Sequence, residues 1–261
     1  MRLDLYISEK GLARSREQAK ELIKSGKVIA DGKVILKPSF DVTEANSVEI
    51  SGDTLKYVGR GGLKLEKAIS EFGIDLDGRS CIDIGASTGG FTDCMLQNGA
   101  ALVYAVDVGH GQLDGKLIND SRVINMEGSD IRKLTTDSFE NKPDFISADV
   151  SFISLRLILP KISEFLPENG EAVVLIKPQF EAGRSAIGKN GIVKDRKAHI
   201  RVLEEITLFC PSAGLSVQKI VPSPIAGGSG NREYLAHLKK GEESFSFDFE
   251  KIVSSAFNEV Y

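Results

Sequence analysis

The chain has 261 residues, with 33 Lys+Arg, 37 Asp+Glu, 3 His, 3 Cys and no Trp; 41% of residues are hydrophobic and 27% charged. At roughly 150 residues per domain this makes one or two domains with a real core, and the balance excludes a disordered or fibrous chain. The net charge of −4 divides into +3 over residues 1–64 and −7 over the remainder, so a small basic module precedes a larger acidic one and a polyanionic partner stays possible at the first.

Met1 leads into Arg2, Leu3 and Asp4 without the apolar block and cleavage site of a secretory signal. Apolar runs such as Ala172 to Ile176 fall far short of the about 20 residues of a bilayer-spanning helix. A cytoplasmic protein that does not enter membranes is therefore expected. Ser15-Arg16-Glu17-Gln18 has the form of a capping box. A helix starting there puts Ala19, Leu22 and Ile23 on its apolar face and stops at Gly26. Arg16, Lys20, Lys24 and Lys27 then fall within about one quadrant of that helix, forming a basic stripe. Val28 to Ala30 and Lys33 to Ile35 read as two strands around the Asp31-Gly32 turn, with a further strand at Ser47 to Ile50. Over about residues 2 to 50 this order of parts resembles the small RNA-binding domain first named from ribosomal protein S-four. The resemblance rests on Arg14-Ser15-Arg16, Ala19, Leu22-Ile23, Gly26-Lys27-Val28 and Asp31-Gly32-Lys33. It implies a surface that grips structured RNA, with Arg14, Arg16, Lys20, Lys24 and Lys27 as contacts. Cationic groups on one face suit that role, because they neutralise phosphates and release counterions.

The Gly59-Arg60-Gly61-Gly62 breaker marks a boundary, giving an RNA-binding domain over 1–56, a linker over 57–62 and a second domain over 63–261. Leu65, Ala68, Ile69 and Phe72 predict a short amphipathic helix carrying an accessible Lys64 near its start. Beyond residue 80, apolar strands are expected at Cys81–Ile84, Leu102–Val106, Val123–Asn125, Phe145–Ala148, Ala172–Ile176, Leu215–Val221 and Arg232–Leu238, alternating with helical patterns. This is the signature of crossover units on a mostly parallel sheet, whose ligands bind outside the carboxyl ends of the strands. Cys81, Cys94 and Cys210 lack metal-ligand spacing and fit reduced core thiols; no metal site is expected.

Directly after the first of these strands comes Asp83-Ile84-Gly85-Ala86-Ser87-Thr88-Gly89-Gly90-Phe91-Thr92-Asp93. Small residues there let a ligand approach the backbone, but Ser87 departs from the glycine pattern of dinucleotide sites, which weakens a nicotinamide-dependent oxidoreductase. Asp107, 22 residues beyond Gly85, ends the second strand, where a carboxylate can accept ribose hydroxyls; Asp130 follows the third and can accept from an adenine amino group. Together these positions look like an S-adenosyl-L-methionine site, with Asp83 near the methionine end. That donor is a sulfonium cation without pyrophosphate, so acidic neighbours are tolerable. The candidate cofactor-binding residues are Asp83, Gly85, Ala86, Ser87, Thr88, Gly89, Gly90, Phe91, Asp107, Val108 and Asp130.

Lys64, Asp149 after the fourth strand, Lys177 after the fifth and Glu233 in the last form the order Lys, Asp, Lys, Glu, which resembles the FtsJ-type ribose 2′-O-methyltransferases. With Gly61-Gly62-Leu63-Lys64-Leu65, the glycine loop, Asp107-Val108-Gly109-His110-Gly111-Gln112-Leu113, Ile176-Lys177-Pro178-Gln179-Phe180-Glu181 and Gly230-Asn231-Arg232-Glu233, the chain is similar to the TlyA family over nearly its whole length. That family was long labelled hemolysin. The resemblance implies an α/β fold: a Rossmann-like methyltransferase sheet with helices on both faces, preceded by a small α+β RNA-binding domain. It also implies methylation of cytidine 2′-hydroxyls in ribosomal RNA within a ribosomal subunit, the large subunit by preference. In the mechanism this suggests, Lys177 takes the 2′-hydroxyl proton, Asp149 orients it, and Lys64 and Glu233 position the ribose. A free lysine has a pKa of about 10.4, so the base role requires desolvation or the neighbouring Lys64 charge. His110, His199 and His237 read as structural or solvated, and residues 181–197 as either an RNA-facing loop or a plain connection. Open alternatives are a non-catalytic RNA-binding assembly factor and a membrane-active hemolysin, and the oligomeric state is also open.

Overall fold

The computed structural model describes residues 1–13, 15–43, 46–50, 56–227, 230–241, 243 and 245–258; Arg14, one of the expected RNA contacts, lies outside them. The chain divides into two compact units, Met1–Lys56 and Tyr57–Tyr261. In the first, α1 (Leu3–Glu9), absent from the sequence expectations, stands because Leu3 and Ile7 lie one turn apart and are fully buried with Ala19, Ile23 and Val28. Ser15 caps α2 (Arg16–Lys24), its Oγ accepting the Gln18 amide at 3.2 Å. Gly26, at φ +72°, turns the chain out of the helix. Lys27 therefore leads into β1 (Val28–Ala30) and is not part of the helical stripe, which is a correction to the expected placement. Asp31 and Gly32 both take left-handed φ, the two-residue turn that matches strand twist. They join β1 to β2 (Lys33–Val34), and β3 (Val48–Ile50) pairs on the other side of β1.

Residues 57–62 are built into the second unit and do not act as a spacer. Tyr57 and Val58 are buried, the Val58 amide donates to Asp93 at 2.8 Å, and α3 (Gly61–Phe72) already starts at Gly61. The seven strands are β4 (Ser80–Ile84), β5 (Leu102–Asp107), β6 (Val123–Glu127), β7 (Phe145–Ala148), β8 (Glu171–Ile176), β9 (Leu215–Pro222) and β10 (Tyr234–Lys240), in the order β6-β5-β4-β7-β8-β10-β9. The first five run parallel, and β10 inserts antiparallel between β8 and β9. One face, with Cys81, Val103, Phe145 and Val173, packs under α3, α4 (Gly90–Gln97) and α5 (Gly115–Ile118). The other, with Ile82, Tyr104, Ile146 and Val174, packs on α6 (Leu159–Phe165), α8 (Arg196–Phe209) and α9 (Phe249–Asn258), while the short α7 (Pro178–Glu181) follows β8. Burial on both faces is why these strands are almost continuously apolar.

From β4 the chain winds one way through β5 and β6 and the other way through β7 and β8, which opens a crevice at the carboxyl ends flanking β4. Because β10 runs against its neighbours, it begins at the edge where they end. Glu233, expected inside that strand, lies one residue ahead of it, and so at the same edge.

Candidate active site

The loop from Gly85 to Gly89 joins β4 to α4. Gly85 has φ +83°, and a Cβ there would stand 2.6 Å from the Asp149 carbonyl oxygen, so the approach of the loop to the end of β7 requires glycine. Ser87 takes φ +49°, an uncommon conformation for a side-chain-bearing residue. It is held by Asp107, whose Oδ2 accepts the Ser87 amide at 2.8 Å while Oδ1 accepts the Gly109 amide at 2.7 Å. Gly89 packs on Leu113 and Leu117. Asp83, expected at the methionine end, has no exposed surface. It accepts from Thr92 Oγ1 at 2.7 Å and Ser147 Oγ at 3.1 Å, fastening α4 and β7 from beneath the loop. Burial, with the Asp149 charge adding to it, pushes its carboxyl up to about 7.

Two adjoining cavities of about 260 and 750 Å³ share Gly85, Ser87, Asp149 and Ser151. Ala86, Thr88, Gly90 and Phe91 line the smaller one; Asp107, Val108, Asp130 and Arg132 line the larger, which falls in the range of about 300–1,000 Å³ common for small-molecule sites. Asp130 is gripped by Arg132 through Nε (2.9 Å) and Nη2 (2.7 Å), and this guanidinium lowers its carboxyl to about 2.

At the smaller cavity the four charged candidates meet. Lys64 Nζ donates to Glu233 Oε2 at 2.7 Å and lies 3.7 Å from Asp149 Oδ2; Lys177 Nζ lies 2.5 Å from Asp149 Oδ1 and donates to Ser151 Oγ at 3.0 Å. One carboxylate thus serves both lysines, an oxygen to each. Lys64, expected to be accessible, is only 7% exposed, because Glu233, 2% exposed, draws it inward. Two ammonium groups against two carboxylates leave no uncompensated buried charge.

The FtsJ-like methyltransferase family model matches residues 57–240, and the S4 domain model matches residues 1–48. The chain belongs to the FtsJ-like methyltransferase family. Among similar proteins, the Mycobacterium tuberculosis 16S/23S rRNA (cytidine-2'-O)-methyltransferase TlyA is 40% identical over 91% of this chain and 89% of its own. Hemolysin A of Brachyspira hyodysenteriae is 42% identical over 91% of this chain and 99% of its own. A solved Streptococcus thermophilus structure, described as a hemolysin, is 46% identical, covers 98% of this chain and 95% of its own, and superposes with a TM-score of 0.80. Among the described residues no helix is long and apolar enough to cross a membrane.

Four residues of this FtsJ-like site escaped the sequence reading. Ser151 and Gln179 each lie two positions beyond a strand-end candidate, Asp149 and Lys177. Ser151 accepts from Lys177, and Gln179 Nε2 donates to Glu233 Oε1 at 3.1 Å. Arg60, inside the glycine breaker, lines the smaller cavity. Phe152 lines the larger one with φ +63° and 92% exposure, its ring 5.0 Å from that of Phe180. The left-handed conformation is uncommon for an aromatic residue, and the ring stands in water.

The three histidines line neither cavity. His110 is exposed; His199 is buried between the Tyr234 hydroxyl and the Val193 carbonyl, and His237 pairs with Glu171. The stretch from 181 to 197 is tied down at both ends: Glu181 accepts from Ser154 and Leu155, and Asn231 bonds Val193 and Gly191. In the S4 domain, Lys20 lies 3.7 Å from Glu17, Lys24 is exposed, and Arg16 contacts Asp4.

Proposed function

We propose that this chain methylates the 2′-hydroxyl of a cytidine ribose in ribosomal RNA, in the large subunit, with S-adenosyl-L-methionine as donor. The observation that carries the proposal is the meeting of Lys64, Asp149, Lys177 and Glu233 beside the Gly85 loop. The name of the M. tuberculosis relative supports the RNA substrate, and the S4 domain supports a grip on folded RNA.

The residues of the crevice fit the donor. Gly85 permits close approach, and Asp107 and Asp130 provide acceptors for ribose hydroxyls and an adenine amino group. The larger cavity, with Asp107, Asp130 and Asp149 against Arg132, suits a cation better than a pyrophosphate. When bound, S-adenosyl-L-methionine supplies an electrophilic methyl group on sulfur. Once Lys177 has released one ammonium proton to solvent, the neutral Nζ accepts the proton that the 2′-hydroxyl releases as its oxygen is methylated, with Asp149 and Ser151 fixing the direction of Nζ. Lys64, anchored by Glu233, positions the ribose, and Phe152 offers a stacking face to the base. Alignment of the hydroxyl with the donor supplies much of the rate.

The test is methyl incorporation from labelled S-adenosyl-L-methionine into unmodified small and large ribosomal subunits, with products mapped by resistance to alkaline cleavage. Wild-type protein is expected to label large-subunit RNA, and Lys177→Ala to abolish labelling while retaining donor affinity. Donor binding with no incorporation into either subunit would replace the enzyme with an RNA-binding assembly factor.

A further inference from the structure

The first unit holds a buried charge that the methyl-transfer chemistry does not use. Asp4, in the first turn of α1, is 0% exposed, yet both of its oxygens are taken by arginine. Arg2 donates from Nε to Oδ1 at 2.9 Å and from Nη2 to Oδ2 at 3.1 Å, and Arg16 donates from Nε to Oδ2 at 3.1 Å. The hydrogen bonds from Arg2, joined by those from Arg16, hold the Asp4 carboxyl down at about 2, so it stays ionised at any working pH. The two arginine side chains keep 46% and 42% of their surface in solvent.

This arrangement is costly if its only product is a folded helix. A buried carboxylate is unfavourable unless paired, and an apolar residue in the same turn would stabilise α1 without it. What the carboxylate adds is order in its partners. A free arginine loses rotamer freedom when it grips a ligand; here that freedom is already reduced in two guanidinium groups rooted in one point. A phosphodiester is the group that two planar donor forks with unused N–H bonds match.

We propose that Asp4 is a positioning residue for RNA binding: it holds Arg2 and Arg16 as a paired fork for one phosphodiester group of the RNA backbone. The proposal rests on the reading of this chain as an RNA-modifying enzyme, and it adds Arg2, which the basic stripe did not include, to the contact surface. It makes a prediction opposite in sign to charge counting. Asp4→Asn raises the positive charge of the cluster, so a surface that attracts RNA only by net charge binds more tightly after the change; a fork that depends on its anchor binds more weakly.

The experiment is salt-titrated binding of the full chain to unmethylated large ribosomal subunits, with thermal melting of each variant alongside. Wild-type protein should bind with a marked salt dependence. Asp4→Asn should weaken binding roughly three- to tenfold despite the added charge, with a log–log salt slope shallower by about one phosphate contact. Arg16→Lys, which keeps the charge and loses the planar fork, should show a loss of the same kind, so the proposal remains open to refutation even if Asp4→Asn melts early. Tighter or unchanged binding by folded Asp4→Asn, or wild-type binding by Arg16→Lys, overturns the fork and leaves the enzyme reading intact. Absence of salt-dependent binding by the wild type overturns both.

Discussion

Asp83 has no exposed surface, and its carboxyl titrates near 7, against about 3.9 for the same group in an unfolded chain. The folded state therefore holds this proton more tightly than the unfolded state does. The stability it contributes is complete below about pH 4 and is lost as pH rises through about 7, at up to about 1.4 kcal/mol per pH unit. Asp83→Asn keeps a polar contact to Thr92 and Ser147 without the titration. Its stability relative to wild type should rise across that window in urea unfolding measured at a series of pH values; parallel profiles would mean that Asp83 does not titrate there. Phe152 makes a different prediction, because its ring is 92% exposed. Phe152→Ala should change stability by no more than about 0.5 kcal/mol. It should also raise KM for the RNA by the equivalent of about 1–3 kcal/mol of base stacking, more than it weakens donor binding, as steady-state kinetics and calorimetric titration would read out.

Among the elements, the loop between β4 and α4 has the least room for change. Gly85→Ala has to keep φ +83° with a Cβ at 2.6 Å from the Asp149 carbonyl. The left-handed conformation alone costs about 1–2 kcal/mol, and relief of the contact has to move either the loop or the end of β7. Melting and donor titration should both show the loss, with donor affinity falling more than tenfold. A melting point and affinity equal to wild type would place the loop elsewhere. The strands that frame this loop were readable because runs such as Cys81–Ile84 and Ala172–Ile176 are apolar on both faces, and the hairpin of the first unit was readable from Asp31-Gly32 alone. Other features hang on partners far along the chain. That β10 inserts antiparallel between β8 and β9 depends on pairs such as Tyr234 with Ile176 and with Pro222, which no local pattern carries. Lys64 looked accessible beside its glycines, and it is buried because its acceptor, Glu233, lies 169 positions away. The helix α1 was missed because its apolar face amounts to Leu3 and Ile7. Lys64, Asp149, Lys177 and Glu233 can be picked out as candidates from sequence, but their meeting around one shared carboxylate is not visible there.

For the molecule as a whole, the two units differ in what holds them together. Among the described residues, the first closes on a small cluster around Leu3, Ile7, Ile23 and Val28, whereas the second has an extensive cluster on each face of its sheet. A unit of about 60 residues buries a smaller fraction of its surface than a larger one does and is marginal in stability. Scanning calorimetry of the full chain should therefore show two transitions, the lower one abolished by a core substitution such as Ile7→Ala and unmoved by donor; a single transition shifted by both would mean that the units unfold as one. The sharing of Asp149 between Lys64 and Lys177 has a consequence over evolutionary time. Once that acid is lost, Lys177 loses its carboxylate partner while Lys64 keeps Glu233, so later changes at Lys177 have less left to remove than changes at Lys64. A descendant lineage that loses Asp149 is thus expected to drift first at Lys177, while the Lys64–Glu233 pair keeps its charge balance.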